Sequence, residues 1–275
     1  MMKRQVKTIA LFCMLAVLLS TMFVGYAANQ KALIVDGKTS TIETRVINGN
    51  TYVPLRSFCQ QMEECTITWD GKTETATVTK SGLRITVDIG LDYVEVNGRY
   101  FYLPDGVYCG DGALSLPVTL LAKCFNSEVY WTADYSALQV VRKGSSVQSA
   151  DEYYNSTDLY WLSRIIYAES GGEPLKGKIA VGNVVLNRVN NSRFPTTVYN
   201  VIFQKNQFSP ASSGSIHRTP SAESVIAAKI ALEGYKVAEN SLFFLNRSIA
   251  RSRWMEKNCT YVATIGRHTF YTLAS

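Results

Sequence analysis

The chain has 275 residues, 47% of them hydrophobic and 18% charged, with 28 Lys and Arg against 22 Asp and Glu, a formal net charge of +6. That balance excludes a disordered or fibrous chain and leaves room for two domains of ordinary size. With only 2 histidines and no basic stretch interleaved with aromatics, a metal site built on imidazoles and a nucleic-acid surface are both set aside, and no cofactor is expected.

The first element is a leader. Residues 1–7 are basic, an apolar run extends from Ile9 to Val24, and Gly25-Tyr26-Ala27 offers small residues at the two positions a signal peptidase reads. Residues 1–27 are therefore read as a signal peptide cleaved after Ala27, giving a secreted protein with no stable membrane anchor; a retained anchor is the competing reading. Cleavage removes Lys3, Arg4 and Lys7 and no acid, so the charge falls from +6 to +3. A mildly basic mature chain suits contact with an anionic wall polymer. Of the cysteines left, proximity in sequence suggests the disulfides Cys59–Cys65 and Cys109–Cys124, with reduced, buried thiols as the alternative; Cys259 is left over.

Residues 31–142 carry an imperfect internal repeat. Val46–Leu55, Trp69 and Ala76-Thr77-Val78 are echoed by Val94–Tyr102, Leu116-Pro117, Trp131 and Ala137–Val140. Asn48-Gly49 and Asn97-Gly98 are hairpin signals. Each copy reads as a hairpin, a short helix after the proline and two more strands, with an insertion at Gly106–Gly112 in the second copy. The Asn48–Arg56 segment in particular resembles the copper amine oxidase N-terminal-like stalk domain of exported proteins from Gram-positive bacteria. No metal site is expected there, because the segment has no histidine and its cysteines lack metal-ligand spacing. Residues 143–155, around the small, polar Gly144–Asp151, read as a linker.

Residues 156–275 form the second expected domain, with helices first and strands last, so the fold class is α+β. A helix from about Ser156 carries Leu159, Leu162, Ile165 and Ile166 on one stripe, and Glu169 falls in the middle of it, just before Gly171-Gly172-Glu173-Pro174. Burial and the negative end of the helix dipole both raise the pKa of a carboxyl placed there, which is how a general acid is made. A structural Glu paired with an arginine is the other reading. A second, largely buried helix runs from Ile179 to Val189. Thr219-Pro220 opens a third that Gly234 closes, and Leu242–Leu245 and Tyr261–Tyr271 read as strands that pair. A Cys259–His268 peptidase pair is considered and set aside, because Cys259 does not open a helix that would activate a thiolate.

The ordered set Arg164–Glu169, Gly172-Glu173-Pro174, Gly177–Val181, Val184–Val189, Phe194-Pro195, Val201-Ile202, Gln207-Phe208-Ser209 and Ile265–Tyr271 resembles the SleB-type cell-wall hydrolase family, which includes spore-cortex-lytic enzymes. The resemblance implies a lysozyme-like fold, peptidoglycan as substrate, location in the wall or spore cortex of a Gram-positive-type bacterium, and lytic transglycosylase action with Glu169 as acid and base. Glu173 is either the second carboxylate of a hydrolytic muramidase or a structural residue. Gln207, Asn187 and Trp254 are candidates for binding sugar amides or stacking on a ring, against core or helix-contact roles. A catalytically silent wall-binding protein is the reading from a different class.

Overall fold

The structure, a computed structural model, describes residues 31–62, 65–110, 112–249 and 251–274. The expected signal peptide lies outside them. Among the described residues, no helix is long and apolar enough to cross a membrane. They form two compact units: residues up to Asp92 with Leu103–Val147, and Tyr93–Tyr102 with Gln148 onward.

In chain order the first part contains β1 (Ala32–Val35), β2 (Lys38–Thr39), β3 (Arg45–Ile47), β4 (Asn50–Pro54), α1 (Leu55–Gln61), β5 (Thr66–Asp70), β6 (Thr75–Lys80) and β7 (Leu83–Asp88). The hairpin β8 (Tyr93–Val96) and β9 (Arg99–Tyr102) follows, then β10 (Tyr108–Gly110), β11 (Ala113–Pro117), α2 (Val118–Cys124), β12 (Ser127–Trp131) and β13 (Ala137–Arg142). Alternation of buried and exposed residues in β6 and β7 puts Ala76, Val78, Leu83, Ile85 and Val87 on one face. Phe58 of α1 and Leu121 of α2 are fully buried, each contributing about 1.5–3 kcal/mol.

The two halves share a strand, a proline and a short helix, but the second hairpin is not the expected one. Asn48-Gly49 and Asn97-Gly98 both take positive φ, 48° and 79° against 50° and 79°, as a tight hairpin requires. Yet β8–β9 belongs to the second unit, and the place equivalent to β3–β4 is held by β10–β11. Strands β4 and β11 run into Pro54 and Pro117, each of which opens a helix of 7 residues. The two strands pair antiparallel, Ser115 opposite Pro54 and Pro117 opposite Tyr52, at the centre of a sheet ordered β10-β11-β4-β3. An Asn-Gly pair specifies a turn, not the sheet the hairpin joins.

The expected disulfides are absent. Cys59, Cys65, Cys109, Cys124 and Cys259 are all free thiols. Cys109 is exposed on β10 while Cys124 is buried at the end of α2, because β11 and α2 carry the chain away between them. The Cys59 and Cys65 thiols touch as hydrogen-bond partners, and burial first, then Cys65, pushes the Cys59 thiol up to about 12.

After α3 (Ala150–Tyr153), the second unit is built on α4 (Ser156–Ser170), α5 (Leu175–Val189) and α8 (Ala222–Leu232), with α6 (Val198–Ile202), α7 (Ser209–Ser213) and a 3-10 turn at Ser215–His217 between them. Asn155 caps α4 by accepting from the Asp158 N–H, as its type prefers. Leu162, Ile165 and Ile166 of α4 meet Ile179, Val181, Val185 and Ala228 in one core. Gly182 lets the three helices close up: a Cβ there would lie 3.0 Å from Ile166 Cδ1 and 3.1 Å from Ala231 Cβ. Helix α8 starts two residues later than the proline suggests, with Ser221 as its cap.

The expected Tyr261–Tyr271 strand is two strands, β15 (Cys259–Ile265) and β16 (His268–Leu273), turning at Gly266-Arg267; with β14 (Phe243–Asn246) they form an antiparallel sheet ordered β14-β16-β15. Helix α9 (Arg253–Asn258) lies between β14 and β15 in sequence. The β8–β9 hairpin is fastened to α8 and its exit: Arg99 pairs with Glu233 at 2.7 Å, the Tyr154 hydroxyl donates to the same carboxylate at 2.7 Å, and Lys229 Nζ donates to the Gly98 carbonyl at 2.8 Å.

Candidate active site

The last turn of α4 delivers Glu169. Spacing of seven from Leu162 and four from Ile165 places it on the core-facing side of the helix, where it is half-buried. No hydrogen bond or ion pair among the described residues holds its carboxyl, and burial alone raises its pKa to about 7. Ser170 turns inward and donates to the Ile166 carbonyl at 2.7 Å, so its hydroxyl is occupied. Gly171 ends the helix where a side chain could not fit, since a Cβ would stand 2.7 Å from the Tyr167 carbonyl oxygen.

Glu173, four residues on, is in the opposite condition. The Arg267 backbone N–H donates to its Oε2 at 2.8 Å and Arg267 Nε to its Oε1 at 2.6 Å. Burial raises its pKa, but the Arg267 N–H and guanidinium outweigh that and hold the carboxyl below its usual range. Gly266 makes the approach feasible: its φ is +59°, and a Cβ on it would lie 2.0 Å from Glu173 Oε2. Arg267 also donates to the Gly172 carbonyl at 3.4 Å. Lys178, buried in the first turn of α5, donates to the Glu173 carbonyl at 2.7 Å and pairs with Glu223. The corner between α4 and α5 is thus tied to the β15–β16 turn and to α8.

The remaining candidates are carried by other elements. The Asn187 amide donates to the carbonyls of Glu239 and, at 3.0 Å, Ser241, fastening α5 to the segment before β14. Gln207 is exposed in the turn ahead of α7. Trp254 is 52% exposed on α9 and stacks edge-on against Phe243 at 5.4 Å. Cys259 faces Leu273 across the hairpin and Ile265 faces His268, so the thiol and imidazole stand at opposite ends of β16, roughly 17 Å apart, and form no pair. Burial lowers the His268 pKa.

Sequence reasoning assigned no role to Arg267, Lys178 or Arg188. Arg188 is buried, donates Nε to the Leu242 carbonyl at 2.8 Å, and lies within 5.0 Å of the Phe194 and Phe208 ring centres. An arginine in the largely apolar run Ile179–Val189 was the available signal.

The family comparisons bear on both units. Residues 172–271 match the Cell Wall Hydrolase family model and residues 34–140 the Copper amine oxidase N-terminal domain model. The first match begins three residues after Glu169. A spore cortex-lytic enzyme of Bacillus cereus is 34% identical over 128 residues, 46% of this chain and 48% of that protein. One from Oceanobacillus iheyensis is 32% identical over 127 residues, 46% of each. The chain therefore spans about half the length of these curated relatives. The solved catalytic domain of the germination-specific lytic transglycosylase SleB from Bacillus anthracis is 33% identical, with 46% of this chain and 100% of that one covered and a TM-score of 0.42. Through residues 172–271 the chain belongs to the cell wall hydrolase family, and it carries a copper amine oxidase N-terminal domain at residues 34–140.

Proposed function

We propose that the protein is an exported enzyme that cuts peptidoglycan glycan strands between N-acetylmuramic acid and N-acetylglucosamine, as a lytic transglycosylase with Glu169 as its single acid and base. The cell wall hydrolase match and the relatives named as spore cortex-lytic enzymes support the substrate. The observation that carries the mechanism is the state of Glu169: unpaired, half-buried and titrating near 7. Such a group is protonated often enough to act as an acid near neutrality and is ready to take a proton back.

Glu169 donates its proton to the glycosidic oxygen as the C1–O bond breaks. The carboxylate left behind accepts the proton of the muramic acid 6-hydroxyl as O6 bonds to C1. The products are a 1,6-anhydro end and a new 4-hydroxyl, and no water is consumed. Hydrolysis by the usual two-carboxylate route requires a second free carboxylate roughly 5 to 9.5 Å away. Two observations weigh against that route: no neighbouring charge contributes to the Glu169 shift, and both Glu173 oxygens are held by Arg267. Under this reading Glu173 is a positioning residue, while Gln207 and Trp254 remain candidate sugar contacts because their side chains are exposed.

Mass spectrometry of fragments released from purified peptidoglycan by the chain lacking residues 1–27 tests the proposal, with cortex and vegetative wall as parallel substrates. Muropeptides one water lighter than their reducing counterparts are expected. Reducing muramic ends would instead establish a muramidase. Absence of release from both substrates would favour a wall-binding protein.

A further inference from the structure

Glu173 and Arg267 lie 94 residues apart, yet their contact fixes the segment that follows Glu169. Four tethers converge on two adjacent residues, Gly172 and Glu173: two Arg267 bonds to the Glu173 carboxylate, one Arg267 bond to the Gly172 carbonyl and the Lys178 bond to the Glu173 carbonyl. The Glu173 side chain is 4% exposed, and the turn that reaches it is shaped for the purpose, since any side chain at 266 would collide with Oε2. Burying a carboxylate is costly unless it is paired and hydrogen-bonded.

We propose that Arg267, through Glu173, is a positioning residue for Glu169: the pair locks the α4–α5 corner onto the β15–β16 turn and so keeps the Glu169 carboxyl out of water. Its catalytic meaning rests on the lytic reading above; its effect on Glu169 does not. The charged and titratable groups around the pair are Lys178 of α5, Glu223 of α8 and His268 of β16. Glu169 itself responds to burial and to none of these charges, so loosening the corner acts on it by admitting water.

The test is a carbon-13 NMR titration of Glu169 in the folded chain lacking residues 1–27, comparing the unmodified protein with Arg267→Met and Arg267→Lys. Alongside it, the pH dependence of glycan release is measured for the same proteins. In Arg267→Met the Glu169 midpoint is expected to fall by about one pH unit toward the ordinary carboxylate range, and the alkaline limb of kcat/KM to move with it. Arg267→Lys, which keeps the charge and loses the fork, should shift the midpoint by less. If Arg267→Met fails to fold, the Lys variant decides. An unchanged Glu169 midpoint in a folded variant would overturn the proposal. A shifted midpoint in a protein that releases no glycan would uphold the positioning and remove the lytic reading.

Discussion

Glu169 and Glu173 are the same residue type four positions apart, and the chain treats them in opposite ways. One ends a helix with its carboxyl free and its pKa raised to about 7; the other begins the next segment with both oxygens bonded and its pKa lowered. Burial works in the same direction on both. What separates them is the partner: the β15–β16 turn brings an N–H and a guanidinium to Glu173, while no charge among the described residues shifts Glu169. A carboxyl suited to proton transfer and one suited to holding a fold can thus share a single turn of chain, provided that only one is answered by a cation.

The largest expected effect separates the two outright. Glu169→Gln should lower glycan release by about a thousandfold, the scale of losing a general acid, whereas Glu173→Gln should leave measurable turnover; equal loss from both would erase the distinction. Next in size is stability. Removing the Glu173 carboxylate with Glu173→Ala should cost about 2 kcal/mol in a denaturant melt, the scale of lost hydrogen bonds to a charged group, since Arg267 is 65% exposed and stays solvated; Gly266→Ala should cost a comparable amount because it expels the same carboxylate.

The pH profile comes third. With the acid form required and a pKa near 7, kcat/KM should be flat below about pH 6 and fall about tenfold per unit above 8. Smallest is a gain. The folded pKa of Glu169 lies above its unfolded value near 4.5, so its ionisation opposes folding: the cost is absent below the unfolded pKa, grows between 4.5 and 7, and is constant above. Glu169→Gln should therefore stabilise the fold by about 1–2 kcal/mol at pH 8, after allowance for partial exposure, and leave it unchanged at pH 4. A variant no more stable at pH 8 would show that Glu169 is well solvated.

Much of this was legible in the sequence, for local reasons. The α4 stripe with an acid in it follows from helical period, the α5 and α8 helices from their apolar runs, and the two proline-opened helices of the first unit from the repeat. What the sequence hid is non-local. Nothing near Glu173 announces a partner 94 residues away, and Asn187 reads equally well as a ligand contact until its two loop carbonyls are seen. The β10–β11 hairpin was within reach: Asp111-Gly112 is itself a hairpin dipeptide, but the matching Asn97-Gly98 drew the alignment away from it.

The central pairing of β4 with β11 carries a consequence for biogenesis. Each repeat surrenders its inner strand to the other, so neither is a folding unit alone; the sheet β10-β11-β4-β3 closes only when Leu116 can find Val53, a separation of more than sixty residues. A chain emerging from its amino end during synthesis would expose β4 as an unsatisfied edge until β11 followed, the kind of edge that templates aggregation. Pulse-proteolysis of chains truncated before and after residue 117 should find protection appearing in one step, when the second proline-ended strand is present.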